Sequence, residues 1–323
     1  MTATGGRLLA GIDVGGTKVL GVLLDPDDPS AVLAEHRVPT PEGEDALLDA
    51  MAGVVHQLAP AGEVGAVGVG IAGLVDRTGV LRTSPNLPGM LGVRVGHELD
   101  RRLGLPVRID NDATCAAWGE HVAGAAQGVR DVVLVTLGTG IGSGIIVDDE
   151  LVRGAHGFGG EAGHMVVDPR GPLCPCGRRG CWERFASGTG LARLGREAAE
   201  AGRFRRGMDL VGQDVRLLRG EHVTQAAAEG DDEALAVLDM FAEWVALGVA
   251  NLITLLDSSL VVIGGGLVAA GDLLLDPVRA AFEGKVMAPD QRADVRIVAA
   301  RLGEVAGAIG AALLGGREAA ASG

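Results

Sequence analysis

The chain has 323 residues, enough for two domains or lobes, and 47% of them are hydrophobic, enough to build a core. A formal net charge of −14 excludes a broad nucleic-acid surface, which needs a basic face, but not a nucleotide, which needs only a local cradle. No run approaches about 18 uninterrupted apolar residues, and MTATGGRLLAGIDVGG lacks the basic start and long apolar stretch of a signal peptide, so no membrane span is expected and the cytoplasm is the expected location.

RLLAGIDVGGTKVLGVLLD (7–25) sets two β-rich apolar runs around a Gly-Gly-Thr turn and predicts a hairpin. AVLAEHRVPT (31–40) is a third strand. The next run, from Glu44, has apolar residues at 47, 48, 51, 54, 55 and 58, the spacing of a helix, and Pro60 stops it. GAVGVGIAG (65–73) and PVRIDND (106–112) read as short buried strands. ATCAAWGEHVAGAA (113–126) reads as a helix, with Cys115 a core thiol among alanines. VVLVTLGTGIGSGIIVDDELV (132–152) then repeats the opening pattern. Aligning Gly15 with Gly138 sets Gly16 on Thr139 and Ile12 on Val135, so two copies of a β-turn-β unit point to a duplicated fold.

RFRRGMDLVGQDVRLLRGE (203–221) carries a charge run and reads as a solvated loop. A long helical pattern (231–257) leads into strand SLVVIGGG (259–266). Helix DLLLDPVRAAFEG (272–284), strand DVRIVAA (294–300) and an Ala-rich helix from Glu304 follow. Strands alternating with helices indicate the α/β class. No Pro- or Ser-rich linker separates the halves. The expected division is a small lobe of residues 1–112 plus 308–323 and a large lobe of 113–307.

Three glycine clusters suit a nucleotide. In DVGGTK, Gly15 and Gly16 let backbone N–H groups approach an anion, Thr17 adds a hydroxyl, Lys18 adds charge, and Asp13 is placed to hold Mg2+ through water. LGTGIGSG supplies a second such turn at Gly138, Thr139 and Gly140. IGGG, with Gly265 and Gly266, follows a strand and precedes a helix, where an adenosine can approach. Neither hairpin turn has Walker spacing or the dinucleotide fingerprint. Three of the four cysteines, Cys174, Cys176 and Cys181, share a Gly/Pro/Arg loop with His164 upstream. Thiols there have no core to fill, and stable disulfides are rare in the cytoplasm. Three Cys and one His make the ligand count of a closed, structural zinc site. In IDND, Asp112 at a strand end is the candidate general base, and Asn111-Asp112 equally suits a helix N-cap.

These glycine segments in this order resemble the actin and hexokinase ATPase superfamily. EAGH (161–164) followed by CPCGRRGCWE (174–183) resembles the signature of the ROK family, and within it the bacterial glucose kinases. The resemblance covers essentially the whole chain, from DVGGTK through SPNL, IDNDA, LGTGIGSGI, EAGH, the cysteine loop and IGGG. It implies a two-lobed actin-like (ribonuclease H-like) fold with a cleft between lobes. It implies transfer of the γ-phosphoryl of ATP to the 6-hydroxyl of D-glucose, with Mg2+ for catalysis, one structural Zn2+ per chain, and a homodimer or homotetramer. It assigns Asn111, Asp112, Glu161, His164 and Glu183 to sugar hydroxyls, with Gly73 and Asn86 on further sugar-side loops. Because the cysteine loop and the phosphate turns lie apart in sequence, zinc is expected to serve the sugar rather than the nucleotide.

Fructose, mannose, N-acetylmannosamine and N-acetylglucosamine are alternative acceptors, and polyphosphate an alternative donor. Family repressors carry a winged helix ahead of this body. About ten residues precede the first strand here, so that role is not expected. A non-catalytic sugar sensor should lack the base, yet Asp112 is present. LLDSSL (255–260) departs from the family's LFDP-type sequence.

Overall fold

The opening hairpin forms where its sequence places it. β1 (Leu8–Val14) and β2 (Lys18–Asp25) pair antiparallel with Val14 opposite Val19, and the Gly15 N–H donates to the Lys18 carbonyl at 3.0 Å. The computed structural model in which this is seen describes residues 7–292 and 294–322; residues 1–6 and 323, the outer ends of the expected small lobe, lie outside the described residues.

β3 (Asp28–Pro39) adds to β2 and starts earlier than the pattern of its apolar residues suggests. α1 (Glu44–Leu58) buries Leu47, Leu48, Met51, Val54, Val55 and Leu58, the residues whose spacing predicts it. β4 (Val64–Ile71) runs parallel to β1, and a small β5–β6 pair (Leu74–Val75 and Leu81–Thr83) follows. α2 (Val95–Leu103) leads to β7 (Val107–Asn111), parallel to β4, and α3 (Asp112–Ala123) starts directly from its end. The sheet order is β3-β2-β1-β4-β7.

The second hairpin is β8 (Val132–Leu137) with β9 (Ile141–Val147), edged by β10 (Glu150–Leu151). After the cysteine loop come α4 (Glu183–Ala186), α5 (Gly188–Glu200), α6 (Arg205–Leu210), α7 (Gly220–Ala228) and α8 (Asp232–Leu256). β11 (Leu260–Gly264), α9 (Asp272–Glu283), β12 (Arg296–Ala299) and α10 (Ala306–Ser322) complete the chain. This sheet has the order β10-β9-β8-β11-β12. Each sheet therefore reads edge strand, hairpin, two later strands, which is the duplication seen in the sequence.

The chain divides into two compact units. The first runs to Leu134 and also takes Gly144–Gly160 and the segment from Arg301; the second holds Val135–Ser143 and Glu161–Ala300. The expected division put all of 113–307 in one lobe. Here α3, β10 and residues 301–307 group with the first unit instead, because α3 is held by α10. Gly119 of α3 packs against the backbone of Ala306 and Gly310. Glu120, fully buried on α3, accepts the N–H groups of Ala125, Arg301 and Leu302 at 2.7, 3.1 and 2.7 Å, which compensates the burial of its charge. α10 also lies close on β1 and β4: a Cβ at Gly68 would collide with the backbone of Ala311.

Two stretches differ from their sequence reading. Residues 203–221 are no simple solvated loop. Phe204 and Leu218 are wholly buried while Arg205 and Arg206 turn outward to Glu233 and Glu229. α8 is long and apolar enough to cross a membrane, yet most of it is buried among its neighbours in the second unit, as a core helix would be. The departure LLDSSL places Asp257 at the α8 C-cap in a left-handed conformation, paired with Arg292.

Gly68→Ala is expected to cost about 1–3 kcal/mol by forcing the Ala311 backbone away. Gly53→Ala, on α1 with nothing within 4 Å of its Cβ position, should be neutral or stabilising by up to about 1 kcal/mol. Thermal denaturation of the two variants tests this, and equal shifts would contradict it.

Candidate active site

In the first unit the strand ends gather the predicted residues. Asn111 closes β7 and caps α3: its Oδ1 accepts the Thr114 N–H at 3.0 Å, while its Nδ2 donates to the Asp112 Oδ1 at 3.0 Å and to the Gly73 carbonyl at 3.1 Å. Asp112 opens α3 and accepts the Ala113 N–H at 2.9 Å. Cap and candidate base thus share one junction. Burial raises the Asp112 pKa against the opposing donation from Ala113, its own backbone and Asn111. Gly73 is joined by the turn that bears Asn86: Ser84 Oγ donates to the Ala72 carbonyl at 2.6 Å, and Asn86 lies where a Cβ on Gly16 would come within 3.0 Å.

Asp13 lies next to the end of β1, beside the start of α10, with Gly307 against its carboxyl. Burial, and then the negative charge of Asp112, raise its pKa to about 7, with Lys18 acting in the opposite sense. The turn after it is held by Thr40, whose Oγ1 donates to the Gly15 carbonyl at 2.7 Å and whose N–H donates to the Thr17 carbonyl at 3.2 Å. Lys18 is already engaged. Its Nζ donates to Glu304 at 2.7 Å, and Arg37 meets the same carboxylate oxygen at 3.2 Å. A phosphate reaching Lys18 must compete with Glu304.

In the second unit, the Gly138–Gly140 turn is braced by the start of α5. The Gly188 N–H donates to the Gly138 carbonyl at 2.7 Å, and the Thr189 Oγ1 donates to the Thr139 carbonyl at 2.7 Å. Gly265 has φ 83°, and a Cβ there would meet the Leu137 backbone at 2.6 Å, so this position admits glycine alone without strain. A cavity of about 810 Å³ opens here. Its lining includes Gly138, Thr139 and Gly266 from the predicted set. It also includes Thr189, Arg219, Glu221, Thr224 and Gln225, which sequence reasoning passed over. Arg219 and Glu221 belong to the charge run read as a solvated loop. The missed signal is the Gly220 start of α7, since the first N–H groups of a helix suit an anion.

The cysteine loop folds back on itself, with Leu173 bridged to Arg179 and the Cys174 N–H donating to the Arg178 carbonyl at 2.8 Å. Trp182, wholly buried, anchors it against Gly248 of α8 and donates from Nε1 to the Trp244 carbonyl at 2.7 Å. The ligand atoms of His164, Cys174, Cys176 and Cys181 lie within 4.8 Å of one another. Cys176 and Cys181 sulfurs are 3.5 Å apart, and Cys174 Sγ is 3.7 Å from His164 Nδ1. A tetrahedral zinc with Zn–S bonds of about 2.3 Å has ligand–ligand edges of about 3.8 Å, so the donor set fits the ion.

His164 turns Nδ1 to this cluster and Nε2 toward Glu161, whose carboxylate is 3.9 Å away. The segment bearing both is pinned to β9: the Ala162 N–H donates to Ser143 Oγ at 3.1 Å. Glu183 accepts from Cys174 at 3.0 Å with one oxygen, and its other oxygen lies 2.7 Å from the Cβ position of Gly140. The cysteine loop and the Gly138–Gly140 turn, apart in sequence, are thus neighbours through Glu183.

The ROK family profile matches residues 9–318. A glucokinase of Streptomyces coelicolor is 38% identical over 308 residues, covering 94% of this chain and 96% of that one. An N-acetylmannosamine kinase of Salmonella newport is 35% identical over 306 residues, again covering 94% and 96%. The crystal structure of a ROK family glucokinase from Streptomyces griseus, in complex with glucose and AMPPNP, aligns with a TM-score of 0.85 at 37% identity, covering 96% of this chain and 99% of that one.

The raised Asp13 carboxyl carries a pH signature. A carboxyl whose folded pKa exceeds its unfolded value stabilises the fold below the unfolded value, and that contribution is lost as pH rises to about 7. Metal-free protein should therefore lose stability between about pH 4 and pH 7, partly through Asp13. Asp13→Asn should flatten that slope and exceed the parent's stability at pH 8 by about 2–4 kcal/mol, at about 1.4 kcal/mol per unit. Urea unfolding across this range measures it; parallel curves for the two proteins would refute the assignment.

Proposed function

The chain belongs to the ROK family, and from that premise we propose that it is a sugar kinase that moves the γ-phosphoryl of ATP to the 6-hydroxyl of D-glucose. The reading is carried by Asp112, a partly buried carboxylate at a strand-to-helix junction whose orientation is held by Asn111. It takes the proton of the attacking hydroxyl as the phosphoryl group arrives. Burial makes it a better proton acceptor than a solvated aspartate, and a positioned base contributes about 10²–10⁴-fold.

Phosphoryl transfer otherwise needs positioning and charge neutralisation. The Gly15–Thr17 and Gly138–Gly140 turns supply backbone N–H groups for the phosphates. The cavity beside Gly266, with the first residues of α5 and α7 at its wall, takes the nucleoside end of ATP. Asp13 is the residue to hold magnesium, which when bound neutralises phosphate charge. Asn111, Glu161, His164 and Glu183 suit sugar hydroxyls, each of which both donates and accepts. If zinc is held through Nδ1, His164 would carry its proton on Nε2 and could donate it outward. Zinc, when bound, holds the loop's shape. The same reading places the enzyme in the cytoplasm as a homodimer or homotetramer.

A second reading, phosphorylation of N-acetylmannosamine, is favoured by the Salmonella relative. A panel of hexoses with coupled ADP detection separates them. Glucose is expected to give the highest kcat/KM with ATP and magnesium, and a tenfold advantage for an N-acetylhexosamine would reverse the order.

Two further outcomes are expected. Asp112→Asn should bind glucose but lose kcat by about 10²-fold or more; near-normal turnover would reduce Asp112 to a helix cap. Cys176→Ala, or chelation, should remove one zinc per chain by elemental analysis and weaken glucose binding about tenfold or more. Unchanged glucose affinity in folded, zinc-free protein would break the link between metal and sugar.

A further inference from the structure

We propose that Arg153 is a positioning residue for Asp112, acting through Asp110; the proposal rests on the reading of Asp112 as the base. Arg153, Asp110, Asn111 and Asp112 lie in the first unit and form one hydrogen-bonded line. Arg153 Nε donates to Asp110 Oδ2 at 2.7 Å, and the other Asp110 oxygen accepts the Asn111 N–H at 3.0 Å. Asn111 in turn donates to Asp112 Oδ1 and caps α3 through Thr114.

Asp110 is only 6% exposed, although it lies on the edge strand β7, paired in register with Gly70 of β4. A carboxylate so placed needs a counter-charge, and Arg153 supplies it. The guanidinium is held in turn by a fixed backbone. The Gly159 N–H donates to the Arg153 carbonyl at 2.9 Å, and Arg77 donates to the Gly154 carbonyl from Nε at 2.8 Å and Nη2 at 2.6 Å. The pair is therefore presented rigidly to the end of β7.

Without Arg153 the stranded Asp110 charge either takes up a proton or swings toward water. In the second case the Asn111 N–H loses its acceptor and the cap that orients Asp112 slackens. A displacement of about 1 Å at a reacting group is enough to cost on the order of 10²-fold. The loss belongs in kcat, because neither Arg153 nor Asp110 touches the nucleotide cavity.

The experiment compares the parent, Arg153→Met and the double variant Arg153→Met/Asp110→Asn. Arg153→Met removes the charge at similar length. Asp110→Asn keeps an oxygen to accept the Asn111 N–H while removing the stranded charge. Expected are a kcat loss of about tenfold or more in Arg153→Met with the ATP KM within about twofold, and recovery of most of that loss in the double variant. Faster amide exchange at Asn111 and Thr114 in Arg153→Met is expected whether or not a substrate is turned over. Parent-like kcat in Arg153→Met, a double variant no better than the single, or unchanged exchange at both amides would each overturn the proposal. If Arg153→Met does not fold, Arg153→Gln, which also removes the charge, is measured, and parent-like kcat there would overturn it too. A parent that phosphorylates no hexose defeats the kinase reading instead, and the exchange measurement still decides whether Arg153 holds the Asn111 junction.

Discussion

A side chain on Gly68 of β4 would run into the carbonyl of Ala311, and one on Gly11 of β1 into that of Ala308. The approach of α10 to the sheet backbone depends on these absent side chains, and much of the first unit depends on that approach. With α10 so close, α3 can lie against it through Gly119 and Gly310, small residue to small residue. α3 is then fixed at the angle that sets Asp112 at the end of β7. The start of α10 likewise comes down beside Asp13. Two carboxylates are thereby partly enclosed near neighbouring strand ends, and desolvation shifts both toward their neutral forms. Such a site stores electrostatic strain that suits a proton acceptor and a cation-binding residue, at some cost in stability.

The second unit solves a different problem. Its cysteine loop is polar and exposed along much of its length, and Leu173 is left 58% exposed. A loop of that kind has too little apolar surface to hold one shape by burial. Two anchors replace the core it lacks. Trp182 plugs into α8 at Gly248, and the three thiols converge with His164 into a metal-sized cluster. The consequence reaches further than the loop. Glu183 follows directly after Trp182, so the same anchoring brings its carboxylate against the Gly138–Gly140 turn while Cys174 donates to its other oxygen. Glu183 therefore links the cysteine cluster on one side to the Gly138–Gly140 turn on the other.

Much was legible from the residues. The paired glycine turns, the strands and helices around them, the metal ligands and the Asn111-Asp112 junction are local statements. Turn chemistry, helical spacing and ligand count act over a few residues; the turns, strands and helices form where they were read, and the four candidate ligands lie together. The ROK signature, a matter of order and spacing along the chain, was equally open to reading. What could not be read was which distant segments would meet. Glu304 as the partner of Lys18, Glu183 beside Gly140, Arg153 on Asp110, and Arg219 with Glu221 at the cavity wall all join residues with no pattern in common. The boundary between the units was misplaced for the same reason. Nothing in the sequence of α3 says that it will pack on a helix nearly two hundred residues later. Periodicity tells which face of an element is apolar, but the partner of that face is chosen by the shape of the whole core, and only the folded chain decides it.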